Sequence, residues 1–223
     1  MIRRATFVFV VMFAFFALTT PSFAQDARVT AGVAVGWTFS DGVSGNTVPA
    51  PGGGMYNRLD PVDAFSFNFN IGFLATPQTE VGFLFGRQQS TLQAGGTATL
   101  DVGDMAISTY HAYFAYNFGE ADATIRPYIM GGLGMTDYSD VKSTLSGGRT
   151  LPGPSRFSTT WGAGVKAFMS PKAGVQVGVR WTPTHIKSDP GGWWCDPWFG
   201  CYLVGNPQYS NQFEFNGGVT LRF

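Results

Sequence analysis

Hydrophobic and polar residues alternate along most of this chain with a period of two. In residues 28–40, Val29, Ala31, Val33, Val35, Trp37 and Phe39 fall on one face, and Thr30, Gly32, Ala34, Gly36, Thr38 and Ser40 on the other. Residues 65–73 set Phe65, Phe67, Phe69, Ile71 and Phe73 against Ser66, Asn68, Asn70 and Gly72. Such alternation is the signature of a strand whose two faces meet different surroundings. It recurs over 80–89, 108–118, 126–136, 157–169, 174–182 and 212–223, which predicts eight strands, and no helical period competes with it. The connections alternate as well. Short turns at 76–79, 119–123 and 170–173 are interleaved with long links at 41–62, 137–156 and 187–208, while the third and fourth strands meet near 93–97. Short turns at one end and longer loops at the other predict an all-β fold: an eight-stranded antiparallel up-and-down transmembrane barrel with both ends of the chain on the short-turn side.

The make-up of the two faces decides between lipid and water. A soluble eight-stranded barrel also alternates, but its outer face carries Lys, Glu, Asp and Arg. Here the polar face is mostly Gly, Ser, Thr, Ala and Asn, and only 13% of residues are charged, about half the usual share. The apolar face carries the bulk of the 16% aromatic residues. Small polar side chains suit a narrow interior and large apolar ones suit lipid. Trp37, Phe39, Tyr116, Phe118, Trp181 and Phe223 gather at strand ends, where aromatic girdles meet the two membrane interfaces. The formal net charge of zero gives no electrostatic reason to bind nucleic acid.

The first 24 residues read as a signal peptide. Arg3 and Arg4 precede an apolar run over 5–18, and the small residues Ser22 and Ala24 precede Gln25. The run is too short for a spanning helix. Residues 25–223 then form one barrel domain.

The last eight residues, 216–223, place Asn216, Gly218, Leu221 and Phe223 in the order polar, glycine, apolar, terminal aromatic. This looks like the C-terminal signal by which the outer-membrane assembly machinery recognises its clients. With it go Tyr-Asn-Phe-Gly at 116–119, the glycine-rich stretch 126–134, Trp-Gly-Ala-Gly-Val-Lys-Ala at 161–167 and Gly-Val-Arg-Trp-Thr-Pro at 178–183. On these segments the chain resembles the small OmpA-like outer-membrane β-barrel proteins of Gram-negative bacteria. The resemblance implies an eight-stranded barrel without a large pore, exported to the cell outer membrane. Its implied partners are outer-membrane lipid and lipopolysaccharide, the assembly machinery and an unidentified surface ligand. No cell-wall anchoring is implied, because no peptidoglycan-binding domain follows the barrel.

Candidate chemistry is sparse. Parity puts Glu80, Lys166, Arg180, Glu214 and Arg222 on the lumen face, with Arg180 and Glu214 on neighbouring strands and so expected to pair. A charge in a narrow lumen needs a partner, and the set reads either as a plug of ion pairs or as a gated path for small solutes. For lipid modification a histidine and a serine should share a strand face. His185 and Ser188, like His111 and Ser108, are three positions apart and point to opposite faces. Residues 131–136 lie inside a strand, which excludes a phosphate-binding loop. Asp137, Asp140 and Asp189 are read as solvated loop acids, and two cysteines with two histidines make no zinc site. No cofactor or metal is expected. The two cysteines, Cys195 and Cys201, flank a Pro/Gly turn in an exported chain, which predicts a local disulfide, beside a loop cluster of Trp193, Trp194 and Trp198. The expected role is non-catalytic, in envelope structure or surface interaction through long outer loops. The alternatives are a narrow conduit for small or hydrophobic solutes and a lipid A-modifying enzyme.

Overall fold

The structure, a computed structural model, describes residues 28–49, 54–142, 150–186, 195–196, 200–201 and 208–223. The signal segment 1–24, Trp193, Trp194, Trp198, Ser188 and Asp189 lie outside the described residues. Fourteen strands follow in chain order: β1 (Val29–Ser40), β2 (Val43–Pro49), β3 (Met55–Pro61), β4 (Ala64–Leu74), β5 (Thr79–Gly96), β6 (Thr99–Asn117), β7 (Ile125–Tyr138), β8 (Val141–Lys142), β9 (Thr150–Leu151), β10 (Ser155–Phe168), β11 (Ala173–Ile186), β12 (Cys195–Asp196), β13 (Gly200–Cys201) and β14 (Gln208–Arg222). Eight of them close a ring in the order β1, β4, β5, β6, β7, β10, β11, β14 and back to β1, each pair antiparallel. These are the eight strands expected from the alternation. The seam is β1 against β14, from Thr30 opposite Arg222 to Ser40 opposite Gln212. It is fastened at its lower end by reciprocal Val29 and Phe223 backbone hydrogen bonds of 3.2 and 2.8 Å.

Side chains follow the predicted parity. Thr30, Ala34 and Thr38 of β1 are buried, while Val33, Val35, Trp37 and Phe39 are exposed. On β11 the lipid-facing Val177 is 60% exposed and its neighbour Gln176 only 9%. From Phe213 to Phe223 the outward face is apolar over eleven residues, a height of about 25 Å at the usual rise and tilt, matching the apolar band of an outer-membrane barrel. Two aromatic rows cross this face. Trp161, Trp181, Phe213 and Phe39 are successive cross-strand partners, with Trp181 stacked on Phe213 at 6.0 Å. Phe69, Phe85, Tyr110 and Phe157, with Met135 between the last two, form the second row. Trp161 lies across Gly131, where a Cβ would come within 3.1 Å of its ring, so glycine is what allows the indole to lie flat on the wall.

Two features exceed the expectation. The third and fourth strands reach Gly96 and start at Thr99, well beyond 80–89 and 108–118. The long link 41–62 is largely the β2–β3 hairpin, and β3 adds to the upper part of β5 from Tyr56 opposite Gly96 to Pro61 opposite Leu92. The polar composition of 88–97 reads as loop, yet the segment is strand because an apolar core forms above the barrel. Val43, Tyr56, Leu59, Leu92, Val102 and Ile107 are among its members, joined by Tyr138, Val141, Leu151 and Ile186. This cap sits over the upper end, opposite the end where β1 starts and β14 finishes. Further along the chain, β12 and β13 form a short ribbon in which Cys195 stands opposite Cys201.

Candidate functional site: the lumen

Two carboxylates organise the interior. Glu80 on β5 is 1% exposed. It accepts hydrogen bonds from Lys166 Nζ at 2.7 Å, Tyr113 Oη at 2.6 Å, Thr30 Oγ1 at 2.9 Å and Asn117 Nδ2 at 3.4 Å. These donors come from β10, β6 and β1, so one side chain gathers four walls of the barrel. Glu214 on β14 is 3% exposed. It accepts from Arg180 Nη2 at 2.7 Å, Asn68 Nδ2 at 2.7 Å, Asn216 Nδ2 at 2.8 Å, Ser66 Oγ at 3.0 Å and Thr38 Oγ1 at 3.5 Å. Arg180 and Glu214 are direct cross-strand partners. The same Arg180 Nη2 donates to Asn68 Oδ1 at 2.6 Å, so the Asn68 amide bridges the pair and its orientation is fixed by both charges.

The five charges singled out by parity therefore form two separate pairs rather than one network. Lys166 meets Glu80, and Arg180 meets Glu214. Arg222 joins neither; it lies at the lower mouth, partly buried, and donates to the Ala121 carbonyl at 3.1 Å. A sixth inward charge, Arg126 at the start of β7, is 1% exposed. Its parity with Tyr128, Gly132, Gly134 and Thr136 was there to be read in the sequence.

Above Glu214 the interior turns to amides, with Gln212 Nε2 donating to Gln88 Oε1 at 2.9 Å. Along one wall His111 Nε2 meets Ser158 Oγ at 2.9 Å, and Thr136 links Ser158 at 3.0 Å to Thr184 at 2.9 Å. Each of these four is no more than 1% exposed. The tyrosine ring of Tyr128 lies over the positions of Gly164 and Gly178, where a Cβ would come within 2.8 and 2.7 Å of its hydroxyl. Lys166 Nζ sits 5.2 Å from that ring. Two small cavities flank Arg180. The upper is bounded by Gln88, Thr109, Thr182 and Gln212, and the lower by Asn70, Tyr113, Tyr128, Lys166 and Gln176. Above everything lies the apolar cap.

The other candidate residues are elsewhere. His185 faces outward beside Tyr209, ring centroids 5.3 Å apart. Ser108 is on the outer face between Arg87 and Asp137. Asp137 accepts from Ser155, and Asp140 from the Gly153 amide at 2.9 Å, so both acids brace their own loop. Among the described residues no three potential metal ligands come together. Asn216 and Gly218 of the C-terminal segment face the lumen, while Leu221 and Phe223 face outward and are exposed.

Solved structures of the same shape include Neisserial surface protein A, at 13% identity over 89% of this chain and 98% of that one, with a TM-score of 0.51. They include also OprG from Pseudomonas aeruginosa, at 10% identity over 89% and 97%, with a TM-score of 0.59. At such identities the likeness is one of fold. No curated protein is similar enough in sequence to match the chain. The sequence profile of the outer membrane protein beta-barrel domain matches residues 8–223.

Proposed function

The chain belongs to the outer membrane protein beta-barrel domain family and is a barrel of the Gram-negative outer membrane, and on that premise we propose that it works without catalysis, as a closed envelope barrel that presents its outer hairpins to the surroundings. The observation that carries this reading is the pairing of both lumen carboxylates beneath a capped upper end. Both carboxylates are buried, each is ion-paired at 2.7 Å, and the apolar cap covers the upper end. An eight-stranded barrel leaves an interior just wide enough for side chains, and here they leave only two small cavities, on either side of Arg180. In this reading the links 41–62, 137–156 and 187–208 lie outside the cell and the turns at 76–79, 119–123 and 170–173 in the periplasm. Residues 1–24 direct export, and the segment ending at Phe223 is read by the assembly machinery. The Cys195–Cys201 ribbon is closed by a disulfide, since directly opposed antiparallel residues stand about 4.5–5.5 Å apart, within disulfide range. Lipid and lipopolysaccharide surround the outward face, and a surface ligand is met by the hairpins.

Lipid modification fits poorly because the His111–Ser158 contact is buried on the lumen side, away from the lipid. Lipid A from cells with and without the protein should give the same mass spectrum. A narrow conduit is the second reading, favoured by the two cavities on either side of Arg180. Planar bilayers separate the two: the purified protein should give no sustained ionic current, and a steady current from the wild type would replace the plug by the conduit.

A further inference from the structure

Three cations and one carboxylate meet at the lower mouth of the lumen. Lys166 on β10 and Arg126 on β7 are direct cross-strand partners, and like charges placed opposite each other repel. Glu80 neutralises Lys166 at 2.7 Å, which leaves Arg126 without a carboxylate. Arg126 is 1% exposed and gives Nη2 to two backbone carbonyls, Pro77 at 2.7 Å and Asn117 at 3.4 Å. Its Nε–H is buried and has no acceptor. The third cation, Arg222, stands opposite Thr30, which itself donates to Glu80. Its side chain rests on the Phe168 ring, Cζ 3.5 Å from the centroid, and among the described residues makes one hydrogen bond, from Nη1 to the Ala121 carbonyl at 3.1 Å. Among the described residues, Glu120 and Asp122 in the neighbouring turn are exposed and form an ion pair with neither arginine. Among the described residues, Lys166, Arg126 and Arg222 against Glu80 leave two positive charges uncompensated by any paired acid. Carbonyl dipoles soften that excess but do not cancel it, and buried charges ordinarily have partners.

We infer that the lower mouth binds a small inorganic oxyanion of the phosphate class, held by Arg126 and Arg222. Guanidinium groups present parallel N–H donors that match an oxyanion better than a point charge does, and Arg126 retains an unused donor at Nε. Both side chains lie on the lumen side of their strands, so the anion comes from the aqueous compartment rather than from a lipid headgroup. Its binding ties β7 to β14, which are not neighbours in the ring, and brings the lower layer close to neutrality. The competing occupant is one water bridging Arg126 Nε and Asn117 Oδ1, the latter also buried without a partner. This inference does not depend on whether the lumen conducts.

The test uses the whole protein folded in a maltoside detergent, which carries no phosphate. Its unfolding midpoint is followed as inorganic phosphate replaces sodium chloride at constant ionic strength. The wild type should rise to a plateau. Arg222→Gln, at the partly exposed mouth and therefore compatible with folding, should need at least tenfold more phosphate for half the effect. Arg126→Gln should remove the response where it folds, and Lys172→Gln, in the adjacent turn, should respond like the wild type. A response that grows without saturating, or is equal in wild type and Arg222→Gln, overturns the site as a bulk salt effect. No response at all assigns the mouth to water, and a response that requires phosphatidylglycerol assigns the charges to lipid.

Discussion

Replacing Arg180 by Gln removes the cation beside Glu214 while leaving most of the side-chain volume. Glu214 keeps its neutral donors from Thr38, Ser66, Asn68 and Asn216, but its charge is then uncompensated in a lumen where it is 3% exposed. Breaking one side of a buried pair costs about 3–5 kcal/mol, or about two to four decades in the folding equilibrium. Glu214→Gln should cost a similar amount, because Arg180 then keeps only Asn68 Oδ1. The double variant Arg180→Gln/Glu214→Gln should recover at least a third of the summed loss, since two amides in those places can hydrogen-bond each other and Asn68. The exposed cluster of Arg58 with Asp60 at 2.6 Å and Asp41 at 3.0 Å supplies the control. Arg58 is 48% exposed there, so Arg58→Gln should cost no more than about 1 kcal/mol. The assay is urea unfolding in lipid vesicles, read by tryptophan fluorescence and by the gel mobility of the unheated protein. Strictly additive losses in the cycle, or an Arg180→Gln cost no larger than that of Arg58→Gln, would refute the idea that the pair closes the lumen.

Three further outcomes are expected. Val177→Arg, on the lipid face, should destabilise the barrel by about 2–4 kcal/mol, whereas Ala98→Arg, exposed at the tip of the β5–β6 hairpin, should be near neutral; equal losses in vesicle refolding would contradict the assigned band. Deleting Phe223 removes two seam hydrogen bonds and the terminal aromatic together, so folding into pure lipid should slow modestly while assembly in cells slows much more; equal slowing in both would reduce the C-terminal segment to a last strand. Protein isolated without reductant should resist thiol labelling, and Cys195→Ser/Cys201→Ser should leave barrel assembly intact, since closing so short a loop contributes about 2 kcal/mol and acts locally; free thiols in the isolated protein would disprove the clasp.

The barrel was legible in the sequence because lipid on one side and a crowded polar lumen on the other impose a strict period of two. Val33 beside Ala34, or Val177 beside Gln176, is enough to assign a face. The Arg180–Glu214 pair could be foreseen because the two strands are neighbours in the ring. Lys166–Glu80 joins strands that are not, and parity alone could place both residues inside without saying that they touch. The cap was not legible for a different reason. Above the membrane the inward positions of β5 and β6 become apolar, at Leu92, Ala94 and Val102, while the outward ones become polar, at Gln93 and Asp101. The alternation persists but its sense reverses, and with glycines at 95 and 96 the segment looks like loop. Arg126 could have been added to the inward charges, since it opens the predicted strand 126–136 and shares the parity of Tyr128 and Thr136.

That reversal gives one chain two kinds of core. Within the membrane the outward apolar surface stays in contact with hydrocarbon until the barrel leaves the lipid, so its melting there uncovers little apolar area to water. The cap built on Leu59, Leu92, Val102 and Ile107 faces water when it opens, and water-exposed apolar area raises the heat capacity on unfolding. Calorimetry in vesicles should therefore resolve a lower-temperature transition with a positive heat-capacity step, followed by a barrel transition with almost none. On the proposed topology the same asymmetry gives assembly an order: the hairpins cross the membrane as solvated chain, and the cap condenses only once its strands have emerged on the far side.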